Sequence, residues 1–182
     1  MKIAVVGGTG KEGHGVALRW LKAGHTIRIG SRDAAKARAK AEELRALVGG
    51  ACDVEGFDNP GAVRDADVVL LSVPYAAHTD TLRSVQHALD GKVVIDITVP
   101  LQPPHVRRVF VPESKAAALE TQAITEGRAR VVAALHHVSS VHLASDHAID
   151  CNVLVCSDDE VALQLTLDLM TDLCLRGIHA GP

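Results

Sequence analysis

The start of this chain limits its fold more than any other stretch. Lys2-Ile3-Ala4-Val5-Val6 is a short apolar, mostly β-branched run that stops at Gly7-Gly8, and helical spacing of Val16, Leu18, Trp20 and Leu21 follows before Gly24. The reading is a strand, a turn and a helix, with Gly7, Gly8, Gly10, Gly13 and Gly15 between the first and the last. So many glycines lose considerable backbone entropy on folding, which makes sense where backbone must come close to something. In Gly8-x-Gly10-x-x-Gly13, Gly8 permits a tight turn, Gly10 lets the backbone approach a pyrophosphate, and Gly13 allows close helix–sheet packing. The anion would then sit on the helix N-terminus.

The alternation continues. Thr26 to Ile29 reads as a second strand, and Asp33 as the N-cap of a long helix that runs to Val48 and is closed by Gly49-Gly50. Cys52 to Phe57 reads as a strand, Asn59 to Arg64 as a short helix and Asp67 to Val73 as a buried strand. Ala76 to Leu89 is a helix and Lys92 to Ile97 another strand. The prolines at 100, 103, 104 and 112 then mark a loop. Beyond it, Glu113 to Glu126 is predicted helical, Ala129 to Ala134 extended, and His136 to Asp150 irregular or weakly helical. Cys151 to Cys156 is a strand, Asp158 to Leu175 a helix and Arg176 to Ala180 a last strand. The predicted fold class is α/β: a doubly wound, mostly parallel sheet of about eight strands with helices on both faces, the NADP-binding Rossmann fold. A composition of 47% hydrophobic but only 2% aromatic residues fits a core of Ala, Val, Leu and Ile. Residues 1–182 are expected to form one domain, with 1–99 carrying the dinucleotide site and 100–182 completing the sheet and the acceptor pocket.

The end of the second strand separates the two nicotinamide dinucleotides. An NAD site places a carboxylate there for the ribose 2′-hydroxyl, whereas an NADP site needs donors and positive charge for the 2′-phosphate. Here Ile27-Arg28-Ile29-Gly30 leads into Ser31 and Arg32, with Lys36 one turn into the next helix, and the cofactor is read as NADP(H). Val73, followed by Pro74-Tyr75, and Val99, followed by Pro100, end two further strands on the edge where open α/β sheets bind ligands.

A net charge of −3 with no run of Lys or Arg argues against nucleic acid and against an anionic membrane as partners. The opening apolar run is too short for a signal peptide, so a cytoplasmic protein is expected. Cys52, Cys151, Cys156 and Cys174 form no Cys-x-x-Cys pair and are read as reduced core residues. His136, His137, His142 and His147 lack metal-ligand spacing, so no metal is expected. His136 and His137 read instead as pocket walls.

Gly7-Gly8-Thr9-Gly10-Lys11-Glu12-Gly13, the Ser31-Arg32 pair, Val73-Pro74-Tyr75 and Ala134-Leu135-His136-His137-Val138-Ser139-Ser140 together make the chain resemble the NADPH-dependent reductases of coenzyme F420, an 8-hydroxy-5-deazaflavin. The resemblance implies cofactor contacts from Gly8, Thr9, Gly10, Lys11, Glu12 and Gly13 at the pyrophosphate, and from Ser31, Arg32 and Lys36 at the 2′-phosphate. It adds Val73, Ala77, Val99 and Ser140 along the nicotinamide half. His136, His137 and Val138 would line the place where nicotinamide and deazaflavin stack, with hydride passing directly and no acid–base residue required. It further implies a homodimer with small-molecule coenzymes as its partners. A reductase of another acceptor (a flavin, a metal complex or a small carbonyl) and a non-catalytic NADP(H) sensor are the alternatives.

Overall fold

The computed structural model describes residues 1–108 and 110–182. Its elements alternate as the pattern requires: β1 (Lys2–Val6), α1 (Lys11–Lys22), β2 (Thr26–Ser31), α2 (Ala34–Val48), β3 (Val54–Asp58), α3 (Asn59–Arg64), β4 (Val68–Leu71), α4 (Tyr75–Val85) and β5 (Val93–Asp96). A long loop leads to α5 (Ala117–Ile124), β6 (Arg130–Ala133), α6 (Ser140–Leu143), β7 (Asn152–Val155), α7 (Glu160–Asp172) and β8 (Arg176–His179). Six strands form one parallel sheet in the order β3-β2-β1-β4-β5-β6.

Continuous apolar strands are explained by burial on both faces. Ile3, Val5, Ile27, Ile29, Leu70 and Ile95 pack on one side against Trp20, Leu44 and Met170 from α1, α2 and α7. Ala4, Val6, Val69, Leu71 and Val94 face the other way onto Ala62, Val63, Leu82 and Val85 from α3 and α4.

The eight strands do not form one sheet, as expected from the alternation. β7 and β8 make a separate parallel pair, which meets β6 through an isolated antiparallel bridge between Ala133 and Cys156 and a hydrogen bond from Ser157 Oγ to Val131 O. The chain turns after β6, where Leu135 takes φ +62°, and returns to meet Ala133 antiparallel at Cys156 rather than adding a further parallel strand. The cysteines also differ from expectation. All four are free, but three are only half-buried and Cys174 is exposed. Cys174 occupies the left-handed turn after α7, with φ +59°, which directs it away from the core. Helix α1 begins at Lys11, well before Val16, because Gly13 and Gly15 stay helical where Gly8 and Leu143 pack against them.

Arg19 of α1 ties this C-terminal region down. Its Nε donates to Leu143 O at 2.9 Å, Nη1 to Leu173 O at 2.9 Å, and Nη2 to Ser145 O at 2.9 Å and His147 O at 3.0 Å. These carbonyls include the ends of α6 and α7, where a cation is favoured. Nearby, the fully buried Trp20 donates to Leu169 O at 3.1 Å. Arg19→Ala is expected to cost about 3 kcal/mol in urea unfolding, because several carbonyls lose a charged donor together. Arg19→Lys should recover less than half of that, since an ammonium cannot span the guanidinium fork.

Candidate active site

The parallel register brings the strand ends into line: Val6 pairs with Gly30 and with Leu71, Leu71 with Asp96, and Asp96 with Ala133. Strand order reverses between β1 and β4, and such a reversal opens a crevice at the C-terminal ends of the strands. The turn after β1 is built into it. Positive φ falls on Gly7 (+77°), where a Cβ would collide with the Ser72 carbonyl and the Val73 side chain. The tight turn therefore rests on Gly7, whereas the motif suggested Gly8. Gly8 is instead required by packing, since a Cβ there would lie 2.8 Å from Val5 O, and a Cβ on Gly13 would lie 2.9 Å from the Gly8 Cα.

Two cavities adjoin along this edge, sharing Gly10, Ser72, Val73 and Pro74. The smaller, about 180 Å³, is lined by Gly7, Thr9, Ser31, Arg32, Asn59, Ala77 and Thr81. The larger, about 310 Å³, is lined by Lys11, Glu12, Ile97, Thr98, Val99, Leu101, Leu135, His136 and Val138. Gly10 between them is the N-cap of α1, and no side chain caps that helix. Its first N–H groups are thus left for an anion.

The site fits a phosphorylated dinucleotide on three counts. A glycine cradle opens onto an uncapped helix terminus. Arg32 and Lys36 are exposed and make no ion pair among the described residues, while the adjacent Asp33 carboxylate is occupied in capping α2 through Ala35 N and Lys36 N. Ser31 Oγ accepts from Asp33 N at 3.2 Å and keeps its own proton to donate. Finally, the buried Asn59 Oδ1 and Thr98 Oγ1 have no partner among the described residues and belong to residues lining the smaller and larger cavity respectively.

Not every residue singled out in the sequence comes to these cavities. Lys36 projects from the first turn of α2, and Ser140 opens α6, which packs on α1; neither lines a cavity. His137 turns from the larger cavity, with Nε2 2.8 Å from Asn152 O, and lines a neighbouring hollow with His142 and His147. His136 does line the larger cavity, where desolvation lowers its pKa against an opposing pull from Asp96 and with a smaller push from His137.

A buried polar cluster beneath the site was missed in the sequence. Asp96, fully buried at the end of β5, accepts from Thr98 N–H (2.8 Å), Thr121 Oγ1 (2.7 Å) and His78 Nε2 (2.9 Å). Burial would push the carboxyl up, but His78, Thr121 and the Thr98 amide together outweigh it and hold its pKa below the ordinary aspartate value. The available signal was a carboxylate ending the apolar run Val93-Val94-Ile95, a position that demands partners.

This sheet order, the glycine turn and the uncapped helix define a Rossmann-type dinucleotide-binding protein. The chain belongs, more narrowly, to the family described as NADP oxidoreductase, coenzyme F420-dependent, whose model matches residues 2–100. It is 41% identical to an F420-dependent NADP reductase of Methanothermobacter thermautotrophicus, in an alignment covering all of this chain and 81% of that protein. It is 36% identical to the F420-dependent NADP reductase of Methanocaldococcus jannaschii, covering all of this chain and 84% of the other. Among solved structures, a putative F420-dependent NADP-reductase from an Arthrobacter species superposes with a TM-score of 0.84 at 25% identity, covering 100% of this chain and 85% of that one. An imine reductase from Bacillus cereus (TM-score 0.70, 18% identity, 99% of this chain and 54% of that one) shares the fold.

Because the folded-state pKa of Asp96 is depressed, its contribution to stability is present above the unfolded value near pH 4 and is lost as pH falls through the folded value. Asp96→Asn is expected to lower stability at pH 7 by about 3 kcal/mol, as for breaking a buried charged cluster. The variant should also lose less stability than the parent on acidification below about pH 4. Urea unfolding from pH 7 to pH 3 checks both, and parallel curves would assign the acid sensitivity to other groups.

Proposed function

We propose that this protein transfers a hydride between NADP(H) and the deazaflavin coenzyme F420, using the adjoining cavities as one continuous site. The observation that carries the reading is the cradle itself, with an uncapped α1 terminus between two cavities and the exposed Arg32 at the outer end. Membership of the family and full-length likeness to F420-dependent NADP reductases support the choice of acceptor.

In this reading the backbone of Gly8 to Gly13, with Thr9, Lys11 and Glu12, holds the pyrophosphate, and Ser31, Arg32 and Lys36 select the 2′-phosphate. Val73, Ala77 and Val99 run along the nicotinamide half, Val73 where the two cavities meet, and Val138 and His136 wall the place where the rings stack. His137 and Ser140 would act from just outside the cavity. A hydride would pass between nicotinamide C4 and deazaflavin C5, the C–H bond broken at one carbon being formed at the other, with the accompanying proton exchanged with water at the deazaflavin N1. The apolar walls formed by Ile97, Val99, Leu135 and Val138 hold the rings in reach of each other and exclude water, so positioning supplies the rate. Residues 1–182 act as one domain, with 1–99 for the dinucleotide and 100–182 completing the acceptor side. The working form is taken to be a cytoplasmic homodimer, on the family resemblance.

Mixing the protein with NADPH and oxidised F420 should bleach the deazaflavin as nicotinamide absorbance falls; NADPH loss indifferent to deazaflavin would move the assignment to another acceptor. Arg32→Ala should weaken NADPH binding by about 2 kcal/mol, roughly thirtyfold, the size of a charge-assisted contact. Nicotinamide fluorescence titrations should show NADH binding nearly unchanged, and equal losses for both would remove Arg32 from the 2′-phosphate.

A further inference from the structure

Past Ile97 the sheet no longer supports the cavity wall. Ile97 N still reaches Leu71 O at a long 3.3 Å, but the next amide, that of Thr98, has the Asp96 side chain as its acceptor, at 2.8 Å. At Thr98, the middle of the wall formed by Ile97, Thr98 and Val99, the backbone amide is therefore held by a carboxylate rather than by the sheet. That carboxylate is itself held from two other elements, by His78 of α4 and Thr121 of α5, whose Nε2 and Oγ1 are 3.0 Å apart. The cluster also reaches a second part of the cavity wall, beyond the end of the neighbouring strand β4. His78 stacks on Tyr75 with ring centroids 6.2 Å apart, Tyr75 directly follows the cavity-lining Pro74, and its hydroxyl donates to Glu120 Oε1 at 2.9 Å. Glu120 Oε2 in turn lies 3.7 Å from His78 Nδ1.

We propose that His78 and Thr121 are positioning residues for hydride transfer, fixing these two parts of the larger cavity's wall by clamping Asp96 between α4, β5 and α5. A buried carboxylate is a costly way to obtain stability, and apolar residues of similar volume often serve as well or better. What the clamp provides is geometry: one acceptor oxygen set for Thr98 and one set for the two helices, on a fully buried side chain. Transfer between stacked rings is sensitive to displacements of about 1 Å, so a wall released from Asp96 should slow the transfer before it weakens cofactor binding, which rests on the distant glycine turn and Arg32.

The inference rests on the reading of this cavity as the place of hydride transfer, and its test separates the two. Thr121→Val removes the hydroxyl while keeping the shape, and Thr121→Ser restores it. Three quantities are read: amide hydrogen exchange of Thr98 without ligand, the NADPH dissociation constant by nicotinamide fluorescence, and the single-turnover rate of hydride transfer to oxidised deazaflavin. Thr121→Val should raise Thr98 exchange about tenfold or more and slow transfer about tenfold, with NADPH affinity within about threefold of the parent. Thr121→Ser should return exchange and rate to within about twofold of the parent. Parent-like exchange and rate in Thr121→Val, or a serine variant as impaired as the valine one, overturns the proposal. If Thr121→Val does not fold, His78→Phe, which removes the donor to Asp96 while keeping a ring beside Tyr75, is expected to show the same pattern, and parent-like values there overturn the proposal equally. A parent protein that transfers no hydride to deazaflavin refutes the proposed function, while Thr98 exchange still judges the clamp.

Discussion

Gly7 turns with positive φ against the Ser72 carbonyl, so closely that no side chain can occupy its place. That contact lets the loop after β1 lie over the end of β4, and the rest of the site follows from it. Gly8 then sits on Val5, Gly13 sits on Gly8, and α1 is brought down onto the sheet with its uncapped terminus over the reversal in strand order. Adding one methyl group at any of these three glycines would push backbone against backbone, which packed interiors accommodate poorly. The two cavities meet at Gly10 because the helix begins there.

The charges on either side of this turn are managed in opposite ways. At the outer end Arg32 remains in water, where an unpaired cation is cheap and available to a phosphate, and the neighbouring Asp33 is kept from neutralising it by two backbone amides. At the inner end Asp96 is removed from water and every lone-pair direction that matters is answered, by an amide, a hydroxyl and an imidazole. One arrangement suits recognition of a soluble anion. The other suits holding a wall still, and the apolar rings proposed to stack there need walls rather than charges.

The first five strands and their helices were legible because burial on both faces writes itself as unbroken apolar runs, and Gly24, Gly49-Gly50 and Pro74 punctuate them. Ser31 and Arg32, which line the smaller cavity, stood out in the sequence because the choice between carboxylate and cation at the end of β2 is a local one. Less local features were lost. Gly15 in α1 meets Leu143, β7 and β8 pair apart from the six-stranded sheet, and Arg19 binds carbonyls at the ends of α6 and α7, all of them relations between segments remote in sequence. His78 and Thr121 are 43 residues apart and each is unremarkable in its own helix. Only the fold makes them neighbours of Asp96.

Isotopic labelling distinguishes direct passage of hydride between two coenzymes in one walled cavity from any route through solvent. NADPH carrying deuterium at C4, prepared separately in each of the two stereochemical positions, would be reacted with oxidised F420 and the reduced deazaflavin analysed by mass spectrometry. Direct transfer predicts that one of the two labelled forms delivers its deuterium to deazaflavin C5 without dilution by solvent, while the other retains it on the nicotinamide. Deuterium lost to water, or delivered equally from both positions, would contradict a single fixed stacking geometry and with it the account of the site.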